Sequence, residues 1–307
     1  MHIPVLAKTI EELHLLKEGQ HAVDCTAGLG GHTKILADQV GTSGIVIAIE
    51  WDKRNLKQAE KKLPLSQIIW IHDNYKNIDT IIKKQELVGK IHLVLFDLGV
   101  SSLHFDEPER GFSFKKDAPL DMRYDQTQPR TAADLINYEG EEALTAIFRN
   151  FGEEPYASRI AKNIVQARKR GIIRSTTELS ALIESALPQR INKINSFKRV
   201  FQALRIAVND ELNNLKKGLE GAFQVLAPYG KIAAISYHSL EDRMVKQFFK
   251  EKTEGCTCPK NAPLCICGNI PQAALTPKKP IVPSETEIKN NPRARSAHLR
   301  ILQKLSS

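Results

Sequence analysis

A glycine-rich turn followed at a fixed distance by an acid is an arrangement that can hold a nucleoside, and this chain has one near its start. The turn reads Asp24-Cys25-Thr26-Ala27-Gly28-Leu29-Gly30-Gly31-His32. Glycines there let the backbone turn sharply and approach a ligand. Glu50 follows 22 residues after Gly28, the place where an acid can accept hydrogen bonds from both hydroxyls of a ribose. A dinucleotide fingerprint would need another glycine three places after Gly30, where this chain has Thr33. The pair therefore implies a nucleoside cofactor, with a nicotinamide-dependent oxidoreductase as the second reading.

The next constellation is Asp97-Leu98-Gly99-Val100-Ser101-Ser102. A carboxylate followed by glycine and two hydroxyls can meet a reacting amine, which makes Asp97 the candidate catalytic residue. A helix cap would account for a serine here but not for the acid beside it. Farther on, Cys256-x-Cys258 and Cys265-x-Cys267 bring four thiols into one Pro-punctuated segment. Four thiolates satisfy tetrahedral zinc, although C-x-C is less typical of zinc sites than a two-residue spacing. Cys25 reads as a small buried residue.

These residues need a sheet to present them. His21 to Cys25, Ile45 to Ile49 and Ile91 to Phe96 are short apolar runs alternating with helical patterns, the signature of a parallel α/β sheet. Each run delivers a polar group at its carboxyl end, where open α/β sheets bind ligands. From about Pro108 to Arg199 strand signals give way to helical ones. Ser175 to Glu178 has capping-box spacing before Leu179, Leu182, Ile183 and Ala186. A helix around Tyr156 to Arg170 sets Arg159, Lys162, Arg168, Lys169 and Arg170 beside an apolar face, as a solvated surface or an RNA contact. The sheet pattern resumes with a helix from about Val200 to Leu219, a Pro228-Tyr229-Gly230 turn and a strand from Lys231 to Ser236; Cys256 to Pro292 reads as irregular. The expected organisation is a discontinuous α/β domain, residues 1–108 and 200–307, with a helical insertion at 109–199 that recognises substrate.

Seven motifs in order carry a resemblance. They are His2-x-Pro4-Val5-Leu6, Gly30-Gly31-His32, Asp97 to Ser102, Glu109 to Phe114, Pro119-Leu120-Asp121-Met122-Arg123, Tyr237 to Arg243, and Asn291 to Ser296. Together they resemble the MraW family, S-adenosylmethionine-dependent methyltransferases that modify N4 of a cytosine in the decoding centre of 16S rRNA. The resemblance implies a Rossmann-like methyltransferase fold, doubly wound with a mostly parallel sheet. It implies S-adenosylmethionine as cofactor and 16S rRNA within the small ribosomal subunit as partner. Cofactor contacts carry over to Gly30, Gly31, His32, Glu50, Tyr75, Asp97 and His104. Glu50 stands where the family commonly has aspartate, and His104 where it commonly has glutamine. Tyr75 offers a ring to pack on adenine. The resemblance implies no metal, and leaves a non-catalytic RNA-binding or assembly protein on the same fold as a further alternative.

Bulk composition agrees with an anionic partner. Lys and Arg number 44 against 35 Asp and Glu, a formal charge of +9 with pI near 9.2, which favours phosphate neutralisation. Arg293 and Arg295 are candidate phosphate contacts. Met1 to Lys17 lacks the pattern of a secretory signal, and no apolar run reaches membrane-spanning length. Five cysteines make a poor disulfide framework. The expectation is a cytoplasmic enzyme without a membrane partner, with a homodimer left open.

Overall fold

The computed structural model describes residues 4–100, 107–255, 258 and 267–306. The chain forms two compact units, Met1–Gly99 with Leu212–Ser307, and Val100–Glu211.

The first unit is built on one sheet of β1 (His21–Asp24), β2 (Ile45–Glu50), β3 (Ile68–His72), β4 (Ile91–Asp97), β5 (Leu226–Ser236), β6 (Ala273–Leu275) and β7 (His298–Lys304). Their order is β3-β2-β1-β4-β5-β7-β6, with β1 to β5 parallel and β7 antiparallel to both β5 and β6. This is the expected doubly wound, mostly parallel sheet. The chain runs outward from β1 to β3 and returns beside β1 as β4, so the carboxyl ends of β1 and β4 flank the point where strand order reverses.

Alternation along each strand feeds two cores. In β4, Val94 and Phe96 join one apolar cluster while Leu93 and Leu95 join the other. Burial on both faces favours β-branched and aliphatic residues throughout, as in Ile45 to Ile49. Helices α1 (Ala7–Glu12), α2 (Gly31–Val40) and α3 (Lys53–Lys62) belong to the first half of the sheet, and α4 (Ile78–Lys84) follows β3. Asp52 caps α3, its carboxylate accepting the Arg54 N–H at 2.9 Å.

The second unit holds α5 (Ala132–Tyr138), α6 (Glu141–Gly152), α7 (Ala157–Arg168), α8 (Thr176–Ala186) and α9 (Lys193–Asn209) around its own core, which includes Leu144, Phe148, Ile160, Ile183 and Leu204. The Ser175 half of the expected capping box before α8 forms, while Glu178 reaches one residue further back. Ser175 Oγ accepts the Glu178 N–H at 3.3 Å, while the Glu178 carboxylate reaches back to the Arg174 N–H at 2.7 Å.

Three expectations about elements are corrected. The single helix from Val200 to Leu219 is two helices, α9 and α10 (Glu211–Val225), because Asp210 takes a left-handed conformation with φ of 50°. The Asn209 side chain braces that break, donating to the Met122 carbonyl at 2.7 Å and accepting the Tyr124 N–H at 2.8 Å. The Pro228-Tyr229-Gly230 turn is a bulge inside β5. Leu226 pairs with Ile91 and Lys231 with Leu93, so residues 227–230 loop out, with Tyr229 at φ of 60°. The segment read as irregular contains β6 and α12 (Glu285–Asn290), which follows α11 (Ser239–Thr253); a three-residue strand shows no periodicity to read.

Phe148 is fully buried in the helical core and Tyr138 is largely exposed. Phe148→Ala should lower stability by about 3–5 kcal/mol in urea unfolding, whereas Tyr138→Ala should stay within about 0.5 kcal/mol of the parent.

Candidate active site

The glycine turn leaves β1 and enters α2, and its shape follows from donors reaching buried acids. Asp24 is fully buried; its carboxylate accepts the Thr26 N–H at 3.1 Å and the Thr33 hydroxyl at 2.7 Å. Thr33 occupies the place of the missing third glycine, so that position carries a side chain tethering β1 to α2. Gly30 has φ of 81° and caps α2. A Cβ on Gly30 would stand 2.6 Å from Leu63 Cδ1, and one on Gly31 2.3 Å from Pro4 Cγ. These two glycines therefore allow close approach of the protein's own side chains. Open space lies instead at Gly28, whose φ is 54° and whose nearest atom to an added Cβ is the Thr26 carbonyl oxygen at 3.8 Å.

Gly28 and Glu50 meet. Glu50 accepts the Gly28 N–H at 2.7 Å on one carboxylate oxygen and the Asp52 N–H at 2.7 Å on the other. A carboxylate offers about four acceptor positions, so two remain for hydroxyls. Backbone donors aim the longer glutamate that stands where the family commonly has aspartate. Burial pushes its carboxyl up to about 7, against the pull of the two backbone donors.

Asp97 closes β4 in a different setting. Its N–H donates to Thr26 Oγ1 at 2.7 Å, which ties the end of β4 to the glycine turn. One carboxylate oxygen accepts the Tyr237 hydroxyl at 2.6 Å, and the other stands 3.5 Å from His32 Nδ1. His32 is buried, with Nε2 at 3.0 Å from the Val5 carbonyl oxygen. That oxygen can only accept, so Nε2 carries hydrogen. Burial holds Asp97 above the usual carboxylate range, with His32 and the Tyr237 hydroxyl pulling it back.

Tyr75 begins a single 3-10 turn (Tyr75–Asn77) after β3 and packs edge-on against Phe96, with ring centroids 5.6 Å apart. Gly218 on α10 leaves room for the ring: a Cβ there would lie 2.7 Å from Tyr75 Cδ2. His104, Ser101 and Ser102, His2, and Cys256 and Cys265 of the thiol cluster lie outside the described residues.

Two participants were not singled out from the sequence. Thr26 accepts from Asp97, and Tyr237 donates to it. Tyr237 follows the last residue of β5, so the strand-end rule that points to Asp97 also points to Tyr237 once β5 is known to lie beside β4. Glu241 holds the Tyr237 backbone N–H at 3.0 Å. Other motif residues brace the fold. Asp242 pairs with Arg300 through two contacts of 2.8 and 2.9 Å, joining α11 to β7. In the helical unit, buried Arg110 donates to the carbonyls of Arg123 and Tyr124, and Asp121 pairs with Arg123.

A parallel sheet with an antiparallel β7 at this position, and acids at the ends of β2 and β4 beside a glycine turn, defines a Rossmann-like S-adenosylmethionine-dependent methyltransferase. Residues 1–305 match the profile of the MraW methylase family. The chain belongs to that family. It is similar to the ribosomal RNA small subunit methyltransferase H of Carboxydothermus hydrogenoformans, with 45% identity over 99% of this chain and 98% of that protein. The protein of the same name from Halothermothrix orenii shows 43% identity over 99% and 98% of the two chains. Among solved structures, an rRNA methylase from Streptococcus thermophilus aligns over 98% of this chain and 94% of that one, with 11% identity and a TM-score of 0.43.

The residues present fit the cofactor: Gly28 leaves space, and Glu50 has acceptor capacity for two ribose hydroxyls. Hydroxyl donors favour ionised Glu50, so S-adenosylmethionine should bind more weakly as pH falls below about 7, by at most about tenfold per pH unit. Calorimetric titration between pH 6 and 8 should show this. Glu50→Gln should bind more weakly throughout and lose the dependence near pH 7.

Proposed function

We propose that this chain transfers a methyl group from S-adenosylmethionine to N4 of a cytosine in the decoding centre of 16S rRNA, acting on the small ribosomal subunit. The observation that carries the reading is Asp97, a half-buried strand-end carboxylate held by Tyr237 and His32 beside the glycine turn, in a chain of this family. The names of its relatives support small-subunit rRNA as the substrate class.

S-adenosylmethionine supplies an electrophilic methyl on a sulfonium. Glu50, aimed by the Gly28 N–H, would hold the ribose, and the ring of Tyr75 would pack on adenine. By the family resemblance Gly30, Gly31, His32, Asp97 and His104 would complete the set of cofactor contacts. Orientation supplies much of the acceleration, because in-line displacement needs nitrogen, methyl carbon and sulfur collinear. The N4–C bond forms as the C–S bond breaks, and N4 loses one proton. Cytosine N4 is a weak nucleophile because its lone pair is delocalised into the ring. Asp97 accepts a hydrogen bond from the amine, localises that lone pair and receives the proton. The target base must leave its stack to reach the site, which costs least in an irregular RNA segment. The helical unit, 109–199 by sequence pattern, recognises that RNA.

Asp97→Asn should cut turnover by about 10²- to 10⁴-fold while the chain still binds S-adenosylmethionine; full turnover would remove Asp97 from this role. Wild-type turnover should fall as pH drops through the raised pKa of Asp97, since only the carboxylate accepts a proton. Tyr237→Phe removes a donor that favours the carboxylate, so this acid limb should move to higher pH. Methyl transfer from labelled S-adenosylmethionine to small subunits, followed by nucleoside analysis, tests the reaction itself. N4-methylcytidine is expected, and label in any other nucleoside would overturn the assignment.

A further inference from the structure

The helical unit carries an exposed patch that no role above uses. Tyr138, the last residue of α5, is 73% exposed, and Ile172 is 56% exposed. Asn137 links their neighbourhoods: its Nδ2 donates to the Ile173 carbonyl at 2.8 Å, and its Oδ1 accepts the Ile173 N–H at 2.9 Å. Arg168 Nη1 donates to the Ile136 carbonyl at 2.7 Å, bringing the end of α7 to the end of α5 as well. The chain through this contact reads Arg168-Lys169-Arg170-Gly171-Ile172-Ile173-Arg174, with Lys169, Arg170 and Arg174 exposed.

Two of the nearby acids are engaged, while Glu141 and Glu142 at the start of α6 are exposed. Glu139 pairs with Arg130, and Glu178 accepts the backbone N–H of Arg174. The basic run at the end of α7 suits the negative end of that helix's dipole. The dipole does not account for an aromatic and an aliphatic side chain left in solvent beside the run. An exposed ring with exposed cations on the adjoining segment is instead the composition of a stacking platform for single-stranded nucleic acid, where phosphates meet the charges and a base meets the ring.

We propose that this patch is an RNA contact in which Tyr138 stacks on an unpaired base, Ile172 flanks it, and Lys169, Arg170 and Arg174 hold adjacent phosphates. The inference rests on the reading of the chain as an RNA methyltransferase and names a surface by which it grips that substrate. The ligand is a single-stranded segment of structured RNA, because bases stacked inside a duplex offer no face to the ring.

Filter binding of full-length protein to free 16S rRNA and to small subunits tests it, with Tyr138→Ala, Tyr138→Phe and the double variant Lys169→Glu/Arg170→Glu. All three positions are exposed, so S-adenosylmethionine affinity and thermal unfolding serve as folding controls and should not change. Tyr138→Ala should raise the Kd for rRNA about tenfold while Tyr138→Phe stays within about twofold, because stacking needs the ring and not the hydroxyl. The charge-reversal variant should raise Kd at least about tenfold and lower the salt slope by about two, having lost two phosphate contacts. Unchanged rRNA binding in these variants would overturn the proposal. Loss on intact subunits with full binding to free rRNA would also overturn it, assigning the patch to a ribosomal protein. If the variants lose rRNA while the wild type binds it and transfers no methyl group, the contact stands and the proposed reaction falls.

Discussion

Removing a carboxylate from water is costly unless donors replace the lost hydration, and the ligand edge of this sheet does so three times. Asp24, Glu50 and Asp97 each close an apolar parallel strand, and burial raises the pKa of all three. Much of the local architecture answers that cost. The glycine turn folds so that the N–H groups of Thr26 and Gly28 reach Asp24 and Glu50, and Thr33 opens α2 with its hydroxyl on Asp24. Thr26 also takes the N–H of Asp97. The turn, the start of α2 and the ends of β1, β2 and β4 thus form one hydrogen-bonded assembly.

The two candidate acids, Glu50 and Asp97, are satisfied differently. Glu50 is held by backbone N–H groups, which have fixed direction and do not titrate. On the proposed reading it is the binding acid, a rigid acceptor with two positions left for ribose hydroxyls. Asp97 is held by the Tyr237 hydroxyl and faces the His32 imidazole, side-chain groups and not backbone. On the proposed reading, this open, side-chain-held carboxylate is the one that meets the reacting amine.

Motif residues divide between these tasks and the scaffold. Asp242 and Arg300 join α11 to β7, which lies against β5 and so steadies the strand that presents Tyr237. Arg110, Asp121 and Arg123 knit one loop within the helical unit, and Asn209 reaches the same loop from the end of α9. Arg110 and Arg123 in the ordered motifs therefore serve backbone carbonyls of an irregular loop, which must be paired where they are enclosed. Reading every charged motif residue as catalytic would misplace them.

Strand and helix periodicity, the glycine turn and the acids at strand ends are local properties, and they were legible in residues such as Ile45 to Glu50 and Ile91 to Asp97. So were the class of fold, the Ser175 cap and the candidate acids Glu50 and Asp97. The break at Asp210, the bulge at Tyr229 and the three-residue β6 were not, because each is held by partners distant in sequence or is too short to show a period. The hydrogen bond from Tyr237 to Asp97 spans 140 residues and exists because β5 lies beside β4. The sequence by itself determined which acids would stand at the edge of the sheet. Tertiary structure alone decided which donors each acid would meet, since strand order, unlike strand propensity, emerges only when the whole sheet is assembled.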